Sequence, residues 1–337
     1  MEYKTQARII QGVGGLYRIA LLPSDAASPL RGQTISCRAR GALRYHGLTP
    51  LPGDVVSVSY DDTSFAYEGE RPMPYEDGRG VCINDILPRS NALIRPPMAN
   101  LGVLFVTLAA AAPAPLLPTV DKLISIAEHT RIEPVIVVTK ADLDKKRAEE
   151  LRTLYEKAGF SAFALSTKTD EGVDGVERLI RALPDGSVAA FAGASGVGKS
   201  TLMNRLFPSL GRLTGEISQK SARGRHTTRE VTLFALSELL GDASLTSYVA
   251  DTPGFSLLDF TRFDFFEKED LVATMRDFAP YLGQCRYTDC THTKEQDCAI
   301  VQAVLRGDIA PSRHESFLSM YYDLKDKHPW TKPPSHH

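Results

Sequence analysis

A glycine-rich segment, Gly193-Ala-Ser-Gly-Val-Gly-Lys-Ser200, constrains the fold of this sequence more than any other feature. It follows the apolar run Val188–Ala192, which predicts a buried strand, and it precedes Leu202 and Leu206, which predict one face of a helix. Glycines between a strand and a helix let successive backbone N–H groups turn toward a phosphate, and the helix N-terminus favours negative charge. We therefore predict an α/β domain with a phosphate-binding loop formed by Gly193, Ala194, Ser195, Gly196, Val197, Gly198, Lys199, Ser200 and Thr201.

Chemical roles follow from the residue types in and after this loop. Lys199 is expected to span the β- and γ-phosphates of a nucleotide, and Ser200 is expected to ligate Mg²⁺. A second motif, Asp251-Thr-Pro-Gly254, follows the strand-like segment Leu245–Ala250 about fifty residues later. Asp251 would hold the Mg²⁺ shell and Gly254 would meet the γ-phosphate, although an isolated motif of this type is more often a simple turn. Together the two motifs predict nucleotide hydrolysis.

The choice of base is predicted from a third motif, Thr139-Lys140-Ala141-Asp142, which stands about fifty residues before the phosphate loop. Guanine offers two adjacent donors, N1–H and N2–H₂, to a carboxylate such as Asp142, whereas adenine has no such pair. An isolated motif of this kind is more often a helix N-terminal cap, but its coincidence with two further strand-end motifs favours a guanine site. The predicted guanine-site residues are Thr139, Lys140, Ala141, Asp142, Ser166, Thr167 and Lys168.

The order of these motifs resembles that of the circularly permuted GTPases, in which the guanine motifs precede the phosphate loop and Asp-x-x-Gly comes last. Thr139 stands where the wider pattern has the asparagine that ties this loop to the phosphate loop. Phe255 stands where many GTPases have the glutamine that orients water, so the resemblance implies slow turnover alone and stimulation by a partner. It also implies that Thr227 or Thr228 completes the Mg²⁺ shell and that His226 reaches the attacking water. An exposed loop histidine is the alternative for His226.

A cysteine–histidine cluster near the C-terminus predicts a metal centre. Cys285, Cys290, His292 and Cys298 supply three thiols and one imidazole within fourteen residues. This set matches the tetrahedral coordination of Zn²⁺, and four protein ligands leave no open position for water. We therefore predict one structural zinc ion, with buried or unpaired thiols as the alternative.

The segment from Cys285 to Cys298 also narrows the resemblance. Together with Gly47–Val56, Ile86–Asn91 and Ala303–Ile309, it is similar to the bacterial ribosome small-subunit-dependent GTPases over nearly the whole chain. The resemblance implies a GTPase that binds the 30S ribosomal subunit and its rRNA late in maturation, with subunit-stimulated hydrolysis coupled to release of assembly factors. The alternatives are a GTPase that acts on another rRNA particle and an RNA-binding module that only senses GDP and GTP.

A multidomain fold is expected from the residues as well as from the resemblance. Short β-segments with turns in residues 1–90 suggest an all-β barrel, which the resemblance implies is an OB-type RNA-binding domain. Alternating buried strands and amphipathic helices in residues 91–264 predict a mainly parallel sheet covered by helices. The resemblance implies that this central α/β domain is a circularly permuted P-loop GTPase domain. Residues 265–337 contain the cysteine–histidine cluster and predict a mostly helical zinc domain. Because Asp251–Gly254 leads directly toward that domain, we expect nucleotide state to be transmitted to it.

Basic residues concentrate in the first fifty positions, where Tyr17 and Tyr45 stand among them. A small barrel with a basic face and aromatic rings suits the backbone and the bases of RNA, whereas a solvated basic surface is the alternative. The acidic segment Tyr60–Gly80 predicts a loop that limits this face. The basic residues in question are Lys4, Arg8, Arg18, Arg31, Arg38, Arg40 and Arg44.

Composition agrees with a soluble globular chain of two or three domains, because 43% of its 337 residues are hydrophobic, 24% are charged and the net charge is −2. Five unevenly spaced cysteines do not suit a disulfide framework, which favours a reducing cytoplasm. The longest apolar run, Gly102–Pro118, contains prolines and is too short to span a bilayer. We therefore expect a cytoplasmic protein without a membrane segment.

Overall fold

The computed structural model of the chain describes residues 2–22, 33–45, 47–61, 63–69, 71–93, 96–211, 231–251 and 267–325. Its architecture is all-β in the N-terminal part, α/β in the middle and helical at the C-terminal end, as predicted. Each helix in these ranges is too short or too polar to cross a lipid bilayer.

The N-terminal barrel closes through strands that are distant in sequence. Its elements are β1 (Glu2–Val13), β2 (Leu16–Leu21), β3 (Thr34–Ala39), α1 (Gly41–Tyr45), β4 (Val55–Asp61), β5 (Phe65–Glu68), β6 (Arg71–Pro74) and β7 (Cys82–Ile86). The closed order is β1-β2-β3-β7-β4, and β3 and β7 are parallel. Alternate side chains point inward and form an apolar core, because successive residues of a strand face opposite sides. That core includes Ala7, Ile9, Ile19, Ile35, Cys37, Val56, Val58 and Ile83.

One strand of the barrel and a separate hairpin of the N-terminal region are absent from the sequence prediction. The closing strand β7 carries polar residues at its centre, yet Ile83 is fully buried. The segment Tyr60–Gly80, expected to be a loop, contains the antiparallel hairpin β5–β6. Both elements are defined by pairing with another strand, which a local pattern does not reveal.

The surface of the barrel that could meet a nucleic acid is smaller than the sequence suggests. Tyr17 is 8% exposed and lies in the barrel core, because it has the same inward direction as Ile19. The expectation that Tyr17 faces a partner is therefore wrong, whereas Tyr45 is 89% exposed. Arg8 is also buried, and its Nη1 donates to the carbonyl oxygen of Gly53 at 2.8 Å.

The central sheet lies between two layers of helices. Its elements, with a small hairpin before it, are β8 (Ala92–Leu93), β9 (Met98–Ala99), β10 (Leu101–Ala109), α2 (Leu117–His129), β11 (Glu133–Thr139), α3 (Lys145–Lys157), β12 (Ser161–Ala164), α4 (Val173–Arg181), β13 (Val188–Gly193), α5 (Lys199–Leu206), β14 (Thr232–Ala235), α6 (Leu236–Leu240) and β15 (Tyr248–Asp251). The order is β12-β11-β10-β13-β15-β14, and within the described residues only β14 runs antiparallel to its neighbour.

The parallel strands are apolar throughout because both faces of the sheet are covered. Phe105 and Phe191 illustrate this packing, with ring centroids 4.7 Å apart on neighbouring strands. All parallel strands end at the same edge of the sheet, which is where open α/β sheets bind ligands. The predicted nucleotide motifs follow the ends of β11, β12, β13 and β15.

The C-terminal region shares its apolar core with the central sheet. It contains α7 (Lys268–Leu271), 3₁₀ turns at Val272–Thr274 and Arg276–Tyr281, α8 (Ala299–Arg306) and α9 (Pro311–Lys325). Phe278 and Phe317 belong to the same buried cluster as Leu123 and Ile124 of α2. Helix α9 therefore packs along α2, which ties the cysteine-bearing region to the sheet.

Candidate nucleotide site and candidate metal centre

The predicted phosphate loop connects the end of β13 to the start of α5. A Cβ atom on Gly193 would lie 2.3 Å from the carbonyl oxygen of Thr107 on β10, so only glycine fits against that strand. Gly198 has a φ of 95°, in the left-handed region, and turns the chain into α5. The segment therefore has the strand–loop–helix form of an anion-binding loop, with a helix N-terminus at its end.

Lys199 and Asp251 lie on neighbouring elements at this edge. Lys199 begins α5, and its Nζ lies 3.5 Å from the carbonyl oxygen of Gly193, to which it donates. Burial lowers the pKa of Lys199 and raises the pKa of Asp251, and the charge of each group opposes the shift of the other. Ser200 is exposed in the first turn of α5. A lysine, a hydroxyl and a carboxylate in this arrangement can bind phosphate oxygens and the cation that accompanies them.

The hydroxyl of Thr139 connects the predicted base-reading loop to the phosphate loop. Thr139 ends β11 and is 2% exposed. Its Oγ1 donates to the carbonyl oxygen of Val197 and lies 3.1 Å from the carbonyl oxygen of Leu108. The tether that the wider GTPase pattern assigns to asparagine is made here by a shorter side chain.

Lys140 makes a second connection between loops. Its φ of 57° places it in the left-handed region, directly after β11. Its Nζ donates to the carbonyl oxygen of Gly196 at 2.8 Å and to that of Ala112, which lies between β10 and α2. Lys140 therefore joins three loops: its own, the phosphate loop and the segment 110–116 that leads into α2.

The carboxylate of Asp142 is oriented by a buried serine. Ser166 Oγ donates to Asp142 Oδ1 at 2.7 Å, and Ser166 is fully buried. The same Oγ accepts from the backbone N–H groups of Lys168, at 3.2 Å, and Thr169, at 3.3 Å. The loops after β11 and β12 are thereby held together, and the orientation of the Asp142 carboxylate is fixed.

Two exposed ion pairs brace the loop after β12. Asp170 Oδ1 lies 2.6 Å from Arg205 Nε on α5, and Glu171 Oε2 lies 3.0 Å from Lys145 Nζ on α3. Each contributes little to stability, because water screens exposed charges. These residues have no motif that would have identified them from the sequence.

Several predicted site residues lie outside the described residues. They are Gly254 and Phe255 after β15 and the segment that contains His226, Thr227 and Thr228. Their roles stay predictions. The other predicted nucleotide residues follow strands that end at one edge of the sheet.

Comparison with known proteins agrees with this geometry. Residues 86–261 match the family model described as RsgA GTPase, and residues 6–67 match the model described as RsgA N-terminal domain. The chain belongs to the RsgA GTPase family. Its permuted order of motifs is therefore a family arrangement and not a coincidence of short patterns.

Relatives of this RsgA-family chain extend over most of its length. The small ribosomal subunit biogenesis GTPase RsgA of Alkaliphilus metalliredigens is 35% identical over 322 residues, which cover 95% of this chain and 98% of the relative. The protein of the same name from Moorella thermoacetica is 38% identical over 293 residues, covering 87% of this chain and 91% of the relative.

Solved structures give the same result for the fold. YjeQ from Thermotoga maritima has a TM-score of 0.74 at 26% identity and covers 97% of this chain and 100% of its own. YloQ, described as a circularly permuted GTPase, has a TM-score of 0.71 at 28% identity and covers 97% of each chain. The RsgA-type architecture, including the permutation, is therefore shared.

The cysteine–histidine cluster of this RsgA-family protein has the geometry of a metal centre. The ligand atoms of Cys285, Cys290, His292 and Cys298 all lie within 4.8 Å of one another. Nδ1 of His292 lies 3.5 Å from the Sγ atoms of both Cys285 and Cys298. These groups could hold a metal ion with four protein ligands.

Two further residues hold the loop that carries His292. The carboxylate of Glu295 accepts from the backbone N–H groups of Thr291 and Thr293, each at 3.0 Å. Burial acts to raise the pKa of Glu295, but these and neighbouring hydrogen bonds outweigh it and lower the pKa to about 2. Nε2 of His314, on α9, donates to the carbonyl oxygen of His292 at 2.8 Å. His314 is 22 residues from His292, so no local motif indicates it.

Proposed function

We propose that this protein is a GTP hydrolase that binds the 30S ribosomal subunit and assists its late maturation. One observation carries the proposal. Asp142 and Lys199 follow strands, and Asp251 ends a strand, at one edge of the sheet, in a chain whose relatives are named small ribosomal subunit biogenesis GTPases. A fixed carboxylate suits guanine, and a lysine beside a second carboxylate suits the phosphates. The names of the relatives support the small subunit as the partner.

In the proposed complex, the phosphates lie in the loop Gly193–Thr201 and receive the charge of Lys199. Mg²⁺ neutralises charge on the phosphates when it is bound. Ser200, Asp251 and Thr227 or Thr228 would hold this ion, and Gly254 would meet the γ-phosphate.

The guanine base is read by residues that are already held in place. Asp142 accepts from N1–H and N2–H₂, and Lys140 covers one face of the ring. Ala141 and the backbone of Ser166–Lys168, which includes Thr167, complete the pocket and face O6. The buried Ser166 hydroxyl supports this assignment, because it fixes one oxygen of Asp142.

Hydrolysis is slow in the free protein and faster on the subunit. Phe255 occupies the position where glutamine orients water in many GTPases, and phenylalanine has no group that can do so. We assign that task to His226, which the bound subunit brings to the attacking water. Release of assembly factors then follows GTP hydrolysis.

We assign one structural Zn²⁺ to Cys285, Cys290, His292 and Cys298. Three thiols and an imidazole are the donor types that Zn²⁺ prefers, and their mutual distances fit one ion. The proposed domains are the barrel in residues 1–90, which contacts rRNA, the GTPase domain in residues 91–264 and the zinc domain in residues 265–337. A location in the cytoplasm, with ribosomal subunits, accords with this function.

Co-sedimentation tests the partner and the nucleotide dependence together. The protein is mixed with 30S, 50S or 70S particles in GDP or in a non-hydrolysable GTP analogue, and GTP hydrolysis is measured in parallel. We expect binding to 30S, preference for the GTP form and stimulated turnover with that particle. Binding to 50S instead would indicate another rRNA particle, and intact GTP in a single-turnover assay with saturating 30S would indicate a sensor.

A further inference from the structure

We propose that Arg313, in the C-terminal region (residues 267–325), is a positioning residue of the nucleotide site. It acts through Asp121 and helix α2. The inference rests on the proposed function, because it assigns a determinant of guanine-nucleotide affinity. Arg313 lies on α9 and Asp121 lies in the second turn of α2, 192 residues earlier in the chain.

The contact between them is a fully buried ion pair. Arg313 Nη1 lies 2.6 Å from Asp121 Oδ1, and each side chain is 1% exposed. Arg313 also donates from Nη2 to Asp277 at 3.0 Å. Burial raises the pKa of Asp121, and the charge of the Arg313 guanidinium opposes that rise.

This pair is not required merely to attach α9. The two regions already share an apolar core, to which Phe317 and Ile124 both belong. Replacing a buried ion pair by apolar residues is often neutral or stabilising, so attachment alone would not need these charges. An arginine between two carboxylates instead fixes geometry, because the planar guanidinium of Arg313 sets the orientation of Asp121 and Asp277.

Helix α2 leads from this pair to the nucleotide site. The segment 110–116 precedes its first turn, and the carbonyl oxygen of Ala112 in that segment accepts from Lys140 Nζ. The same ammonium donates to Gly196 of the phosphate loop at 2.8 Å. A shift of α2 along its axis would therefore move the carbonyl oxygen of Ala112. That oxygen accepts from Lys140, the residue that we assign to the face of the guanine ring.

The residue after Arg313 holds the other side of α9. His314 donates to the carbonyl oxygen of the metal-cluster residue His292 at 2.8 Å. Two consecutive residues of α9 thus make different contacts. Arg313 contacts α2, and His314 contacts the loop that carries His292. The position of the C-terminal region is thereby linked, through α9 and α2, to the geometry of the proposed guanine site.

A second arginine contact with α2 provides the control. Arg276 lies 2.6 Å from Glu128, in the last turn of α2 away from the nucleotide. Its guanidinium and that of Arg313 both lie over the Phe160 ring, at 4.7 Å and 5.6 Å from the centroid. Arg276→Met therefore removes an arginine contact with α2, more exposed than that of Arg313, without touching the end of α2 that faces the site.

The experiment measures the Kd of a fluorescent GDP analogue for the full chain, well below the melting temperature of each variant, with bound zinc recorded. Arg313→Met is expected to raise the Kd by about tenfold, Arg313→Lys by less, and Arg276→Met not at all. Asp121→Asn leaves Arg313 in place and should raise the Kd by a similar factor. This variant replaces Arg313→Met in the experiment if Arg313→Met does not fold.

An unchanged Kd in folded Arg313→Met or Asp121→Asn would overturn the inference, as would an equal rise in Arg276→Met. Failure of the unmodified protein to bind the GDP analogue would instead refute the proposed function. The two failures are therefore distinguishable in the same titration.

Discussion

Replacing Thr139 by valine tests how the base-reading loop and the phosphate loop are held together. The substitution keeps the shape of the side chain and removes the hydroxyl that donates to the carbonyl oxygen of Val197. Thr139 is 2% exposed, so water has little access to replace that donor. A buried acceptor left without its partner costs about 1–3 kcal/mol.

If this whole cost falls on the assembled site, the Kd for GDP rises by about 5- to 150-fold, since 1.4 kcal/mol corresponds to a factor of ten. The assay is titration with a fluorescent GDP analogue, with GTP and GDP as competitors. Thr139→Asn should restore most of the affinity, because its amide can donate to the same carbonyl oxygen.

Thr107→Val is the matched control for this experiment. Thr107 is 1% exposed and its hydroxyl also donates to a carbonyl oxygen, that of Ala192, but it joins two strands that are already paired. We expect it to lower the melting temperature and to leave the Kd for GDP unchanged. Equal affinity losses in Thr107→Val and Thr139→Val, or none in Thr139→Val, would refute the tether.

Three further predictions concern the base, the hydrolysis step and the metal. Asp142→Asn removes the carboxylate acceptor and should weaken GTP binding by about 10- to 100-fold without improving ATP binding, which competition titrations would reveal. His226→Ala should retain GDP affinity and lose most of the subunit-stimulated turnover; unchanged turnover would remove histidine from the mechanism. Metal analysis of protein purified without chelator should give one zinc per chain. Cys290→Ser should reduce that content and lower the melting temperature, whereas a zinc-free native protein would contradict the assignment.

Strands and motifs adjacent to them were predictable because their signals are local. β3 spans Thr34–Ala39, as its alternation predicts, and the glycines after β13 take the conformations that a phosphate loop requires. Helix α9 begins at Pro311, a residue type that is favoured in the first turn of a helix. The last strand of the site, β15, is Tyr248–Asp251, shorter at its start than the predicted Leu245–Ala250, since Leu245 takes part in a turn with Asp242.

Contacts between distant parts of the chain were not predictable from one sequence. Thr139 resembles a departure from the asparagine pattern until its hydroxyl is placed beside Val197. Arg313 and Asp121 are ordinary charged residues of amphipathic helices, and only the packing of α9 on α2 buries them. Tyr17 is predicted to be exposed because it stands among basic residues, although its inward direction on β2 decides its burial.

The contact of Arg8 with Tyr248 has a geometric consequence for any particle that the protein binds. The guanidinium carbon of Arg8, in the barrel, lies 5.5 Å from the ring centroid of Tyr248 at the start of β15, and Asp251 ends the same strand. Four strand residues span only about 10 Å, so the barrel and the nucleotide site are separated by a short, stiff element. A surface bound by the barrel would therefore lie at a set distance from Asp251. Under the proposed function, this fixed spacing would tie engagement of the nucleotide site to the distance between the two features that the partner presents to the protein.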